Sequence, residues 1–163
     1  MGTAVIGLLG VVVGVLLGGG VQLLVSWRER RAQSKRAARL LFGDCQLCLE
    51  AVDWLKMGDR QWYPATVPAL DGWHKHREAL AGAMDGPAFQ TVDGAFYRVA
   101  KLDAWIKHGE ELTDIEMDAE ETVQQLEEAS ALLLVEGFSG SERERMQHEM
   151  SAHQRQAGAA ARH

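Results

Sequence analysis

TAVIGLLGVVVGVLLGGGVQLLV, residues 3–25, carries no charge, and from Val5 to Val25 its one strongly polar side chain is Gln22. A helix of about 20 apolar residues is what the hydrocarbon core of a bilayer requires. A buried helix of a water-soluble domain is rarely so long and so bare of charge, so the run reads as a membrane span. A cleaved secretory signal fits less well, because it needs a basic start, a shorter apolar stretch and a small-residue cleavage triplet. Nothing before Val5 is charged except the α-amino group, and no A-x-A precedes Trp27.

The flanks give an orientation. Residues 28–39 hold six basic side chains, Arg28, Arg30, Arg31, Lys35, Arg36 and Arg39, against the single acid Glu29. The positive-inside rule keeps such a flank in the cytoplasm and passes the nearly uncharged N-terminus across, which predicts a single-pass protein with its N-terminus outside. Trp27 then lies at the inner interface as an aromatic anchor, and Arg28, Arg30, Arg31, Lys35 and Arg36 face anionic lipid headgroups. Within the span, Gly10, Gly14 and Gly18 repeat every four residues with Gln22 next on the stripe, and Thr3, Gly7, Gly10 and Gly14 form an overlapping face. In lipid, helices associate through close packing at small residues, so Gly7, Gly10, Gly14, Gly18 and Gln22 are the expected packing face for a second copy or a partner helix. Glycine is also simply common in membrane helices. Three successive glycines, Gly18 to Gly20, weaken a helix by about 1 kcal/mol each relative to alanine in water, which predicts a flex near the inner leaflet.

The rest of the chain is acidic. Of 163 residues with a formal net charge of −6, residues 40–163 hold eleven basic and twenty-two acidic side chains. That balance argues against nucleic acid as a partner, because such binding depends on neutralising phosphates. About 100 residues remain once an anchor and a polar tail are set aside, enough for one modest core.

The periodicity predicts an all-α fold. Leu41, Cys45, Cys48, Val52 and Leu55 recur at helical spacing, with neither proline nor turn cluster between them and the anchor. One helix is therefore expected from the bilayer to about Met57, rising roughly 45 Å beyond Trp27 at 1.5 Å per residue. Residues 58–68 (GDRQWYPATVP) break the pattern, and Pro68 can open a second helix with Ala69, Trp73, His76, Leu80 and Ala83 on one face. Asp85-Gly86-Pro87 stops and restarts the chain, and Phe89, Val92, Phe96, Val99 and Ile106 define a third helix ending at Gly109. Thr113 and Glu116 form a capping box, with Leu112 and Met117 placed as a hydrophobic staple. This fourth helix has the stripe Ile115, Ala119, Thr122, Leu126, Ala129 and Leu133, and Gly137 ends it. The expected organisation is a transmembrane anchor (1–26), a basic juxtamembrane helix (27–39), an antiparallel four-helix bundle (40–137) continuous with the anchor, and a mobile polar tail (138–163) with a helical turn or two near Glu142 to Met150.

Each candidate site has a plainer reading beside it. Cys45 and Cys48 form a C-x-x-C, but a redox pair needs a strand before it and a helix N-terminus at the first thiol, and zinc needs two further ligands. Inside a helix, on its apolar face, they read as core thiols. His74 and His76 point apart on a helix and cannot share a metal there. The carboxylates after Gly109 resemble the acid supply of a di-iron bundle, yet no Glu stands three residues before any His. A solvated acidic face explains them better. Trp62 and Tyr63, with the nearby acids Glu110, Glu111 and Asp114, form the expected partner surface, since aromatics are enriched where proteins meet; the same pair can instead lid the end of a bundle. No phosphate-binding loop, dinucleotide fingerprint, nucleophile elbow or H-E-x-x-H motif occurs, so no enzyme, cofactor or metal is expected.

The plan GVLLGGGVQLLVSW, then RERR, then KRAARLL running into a helix, resembles that of many uncharacterised bacterial single-span membrane proteins. The resemblance covers about the first fifty residues and implies a bacterial inner membrane, with no activity or site. The function expected is that of a membrane-anchored interaction or scaffold module, homo-oligomeric or part of a membrane complex. A pore-forming or membrane-perturbing oligomer regulated by its bundle is the alternative. Replacing Gly14 by Leu separates the two, because lost assembly with unchanged ion leakage removes the pore.

Overall fold

The computed structural model describes the backbone of residues 2–56, 66–108 and 112–148, and the side chains of residues 20–53, 55, 69–108 and 118–148. Among these the fold is all-helical, with five helices and no strand: α1 Gly2–Lys56, α2 Thr66–Ala81, α3 Gly86–His108, α4 Leu112–Gly137 and α5 at residues 140–148. The chain separates into two compact units, Met1–Gln33 and Ser34–His163.

The first unit is the opening part of α1. Its backbone stays helical through Gly18–Gly20, and the side chains up to Gly19, including the expected packing face Gly7, Gly10, Gly14 and Gly18, lie outside the described residues. Among the described residues no helix is long and apolar enough to cross a membrane.

The second unit is a helical bundle around one core. Leu41, Cys45, Cys48 and Val52 of α1 are buried with Trp73 and Leu80 of α2, Val92, Phe96, Val99 and Leu102 of α3, and Ala119, Leu126, Ala129 and Leu133 of α4. Each fully buried aliphatic or aromatic side chain contributes about 1.5–3 kcal/mol, so the expected stripes supply the main stabilisation. Two aromatic contacts centre the α2–α3 seam. Trp73 stacks on Phe96 with ring centroids 4.9 Å apart and planes 6° from parallel, and it tilts against Phe89 at 5.8 Å.

Residue pairing shows the sense of neighbouring helices. Ser34 donates to Glu136 while Gln46 donates to Ser130, so α1 and α4 run in opposite directions. Arg98 reaches Asp118 while Gln125 lies beside Gly94, and α3 and α4 are likewise opposed. Trp73 meets Phe96 while Arg77 meets Asp93, giving the same relation for α2 and α3.

The helix ends have local causes. Asp85 caps α3, its carboxylate accepting from Ala88 N at 2.8 Å. Gly137 ends α4 where the chain crowds α1: a Cβ there would lie 3.1 Å from Arg39 N and 3.2 Å from the Ala38 Cβ. The capping box expected of Thr113 and Glu116 lies outside the described side chains. Ala83 does not join the core face of α2, because that helix stops at Ala81 and leaves Ala83 exposed in the turn.

The helical turns expected near Glu142 to Met150 belong, as far as the described residues go, to a helix that already begins at residue 140. Residues 140–148 form α5, and Phe138 and Met146 pack on the core as partly buried side chains. The carboxylate of Glu142 accepts from both Ser139 N and Ser139 Oγ at 2.8 Å, half of a capping box that starts the helix. Arg39 of α1 then holds this helix start in place. Its Nη2 lies 2.9 and 3.0 Å from the two Glu142 oxygens, and its Nε donates to Gly137 O at 2.8 Å.

Candidate functional site

The described end of the apolar run is a helix with nothing packed on it. Val21, Leu23, Leu24, Val25 and Trp27 are 50–72% exposed. At about 100° per residue their side chains span an arc of about 200° of the helix circumference. Gln22 is exposed on the remaining flank beside Ser26, whose hydroxyl donates to Leu23 O at 2.9 Å. Gly20 has open space where a side chain would stand.

One turn later the character changes to basic. Arg28, Arg30 and Arg31 are exposed, and none has an ion-pair partner among the described residues. The Arg31 guanidinium lies 5.3 Å from the Trp27 ring centroid, a cation–π contact within the same unit. Lys35 and Arg36, on the following unit, are also exposed. Arg39 belongs to the same sequence cluster but is committed to Glu142, Gly137 and the Phe138 ring, whose centroid is 5.0 Å from its guanidinium carbon.

The thiols lie where the helical spacing put them. Cys45 and Cys48 are free and buried in the core. Burial, with the Asp44 carboxylate adding to it, pushes the Cys48 thiol up to about 12, and burial raises Cys45 further. Both are neutral thiols at physiological pH and poor nucleophiles.

Asp44 is a feature that the helical stripe does not reveal. Its carboxylate rests against α2 at Gly72, where an added Cβ would collide with it. Partial burial raises its pKa, and the nearby His76 opposes that shift. His74 is exposed and His76 half-buried, and no group of three or more possible metal ligands occurs among the described residues.

The α3–α4 seam holds a charge network. Asp118 accepts from Arg98 at 3.2 Å and from Lys101 at 3.3 Å, Arg98 also pairs with Glu121, and the Lys101 ammonium lies 4.1 Å from the Trp105 ring centroid. Beside it Tyr97 is the most exposed aromatic among the described residues, on a face that periodicity marks only as non-core. The expected partner surface is not part of this picture: Trp62, Tyr63, Glu110 and Glu111 lie outside the described residues, as does the Asp114 side chain.

Compared with known proteins, the chain matches no protein family, no curated protein and no solved structure.

Proposed function

We propose that the protein is a single-pass, membrane-anchored interaction module, with the apolar part of α1 in a bilayer and the helical bundle on the cytoplasmic side. One observation carries this reading. The helix from Val21 to Trp27 exposes large apolar side chains over an arc of about 200°, where a water-facing helix of a globular domain buries its apolar stripe against a core. Charge-free sequence precedes it, and arginines with no ion pair among the described residues follow it, in the order that a membrane exit to the cytoplasm requires.

The bundle supports a binding role on different grounds. Its thiols are buried and its buried hydroxyls are satisfied, Thr122 donating to Asp118 O at 2.6 Å and Ser130 accepting from Gln46 at 2.7 Å. The glycine face of the anchor is proposed to pack against a second copy or a partner span, and the acidic bundle to present the partner surface.

The deciding test is alkaline carbonate extraction of membranes together with a topology reporter fused after His163. The expected result is retention in the membrane pellet with a cytoplasmic reporter signal. Extraction into the supernatant, or a periplasmic signal, refutes the reading. Crosslinking in the same membranes, with Gly14→Leu alongside, then tests assembly, and an unaltered crosslinked ladder would exclude the glycine face.

A further inference from the structure

We infer that the helical turn Trp27–Arg31 is a headgroup site selective for anionic phospholipid. The inference rests on the membrane reading above and adds a lipid class to it.

The arginines are what distinguish this turn. Arg28, Arg30 and Arg31 stand on consecutive sides of one exposed turn, and Glu29, the acid among them, forms no ion pair among the described residues. What sets the turn apart is three arginines without an ion pair within four residues, beside an exposed apolar helix: Arg36, Arg143 and Arg145 also form no ion pair among the described residues, while the remaining described arginines have carboxylate partners. Arg39 meets Glu142, Arg77 meets Asp93, and Arg98 meets Asp118 and Glu121. Three guanidinium groups with no carboxylate partner among the described residues, beside a turn that exposes apolar side chains over about 200° of its circumference, suit a partner bearing negative charge at the edge of an apolar phase. A phospholipid phosphate diester has that charge in that place.

Chemistry favours the same occupant. Guanidinium groups present paired N–H donors that match two phosphate oxygens, a fit that an ammonium group lacks. Arg31 already lies over Trp27, with its guanidinium carbon 5.3 Å from the ring centroid. That cation–π contact favours one side for the guanidinium before any lipid arrives, and Trp27 is an aromatic side chain of the kind that settles at headgroup depth. Zwitterionic phosphatidylcholine offers the same phosphate but brings its own cation, so it competes poorly where three positive charges converge. Phosphatidylglycerol carries a net charge and no cation.

The test uses the full chain, reconstituted in bilayers of equal parts phosphatidylglycerol and phosphatidylcholine, extracted in mild detergent and analysed for co-purified lipid. The wild type is expected to retain phosphatidylglycerol in clear excess. The ratio should fall about fivefold for each arginine replaced, so that Arg28→Gln, Arg30→Gln and Arg31→Gln together return it to the bath value. A control carrying Arg143→Gln and Arg145→Gln on α5 should keep the wild-type ratio, and an equal loss in that control overturns the assignment to Trp27–Arg31. A wild type that resists carbonate but shows no enrichment overturns the lipid site and leaves the membrane reading standing. A wild type washed out by carbonate refutes the membrane reading and the site together. Excess inorganic phosphate that strips the enrichment would reassign the arginines to free phosphate and overturn the lipid proposal.

Discussion

Replacing Phe96 by Ala tests the packing of the bundle where it is most concentrated. Phe96 is fully buried on α3, and its ring is stacked on Trp73 of α2. A buried Phe→Ala change costs about 3–5 kcal/mol, through lost transfer energy and the cavity left behind. Aromatic pairing is worth about 0.5–1.5 kcal/mol beyond area, so the upper half of that range applies, roughly 4 kcal/mol. Against a total stability of about 5–15 kcal/mol, the substitution removes a large share and can leave the bundle marginal. In urea, with a slope of about 2 kcal/mol per molar, the midpoint for the full chain in detergent should fall by about 2 M. Phe96→Leu keeps the apolar contact and loses the stack, and should fall by about a third as much. A midpoint shift below about 0.5 M for Phe96→Ala, with the slope unchanged, would show that Phe96 is not packed as described.

Three further outcomes follow from named contacts. Because burial holds the Cys48 thiol at about 12 against an ordinary 9.0, its contribution is complete below pH 9 and fades as pH rises towards 12, where the unfolded chain ionises first. Urea midpoints should thus be level from pH 7 to 9 and fall above it, and Cys48→Ala should flatten that fall. Glu142 is held below its ordinary 4.5 first by the Ser139 backbone N–H, then by the Ser139 hydroxyl and Arg39, so its contribution is present above 4.5 and lost as pH falls through its lowered value. The hydrogen-exchange protection of residues 140–148, relative to the intrinsic rate at each pH, should fall on acidification and, at neutral pH, in Glu142→Gln, while α3 stays protected. Gly137→Leu forces atoms into Arg39 and Ala38 of α1 and should cost about 1–3 kcal/mol by overpacking, read as a lower thermal midpoint. An unchanged midpoint would mean that α4 does not approach α1 so closely.

Helix periodicity was enough to read the core stripes. Cys45, Cys48 and Val52, and the run Ala119, Thr122, Leu126, Ala129 and Leu133, are buried because the spacing of an α-helix leaves few ways to place them. The end of the bundle was harder to read. Phe138 and Met146 are too far apart to make a stripe, and α5 is held largely by Arg39, which lies about a hundred positions earlier in the chain. A local signal did exist, because Ser139 and Glu142 have the S-x-x-E spacing of a capping box. The same contact explains why the basic cluster is divided: Arg39 shares composition with Arg28–Arg36, yet is used internally. Asp44 was equally hidden, since its half-buried position depends on a glycine of another helix, Gly72. Of the candidate surfaces, the Trp27–Arg31 turn is named by the order of its residues alone, an apolar run followed by arginines, and its side chains are exposed.

The Phe42–Phe138 contact also affects how long the protein survives. Phe42 is almost wholly covered, with the Phe138 ring set edge-on at 5.6 Å, and Phe138 belongs to the last stretch among the described residues that packs on the core. A protease that cuts just after Gly137 would remove that cover and leave an apolar patch on α1 without severing any of the first four helices. The final segment is therefore a seal, and its loss would mark a nicked molecule for aggregation or clearance while most of its fold is still intact.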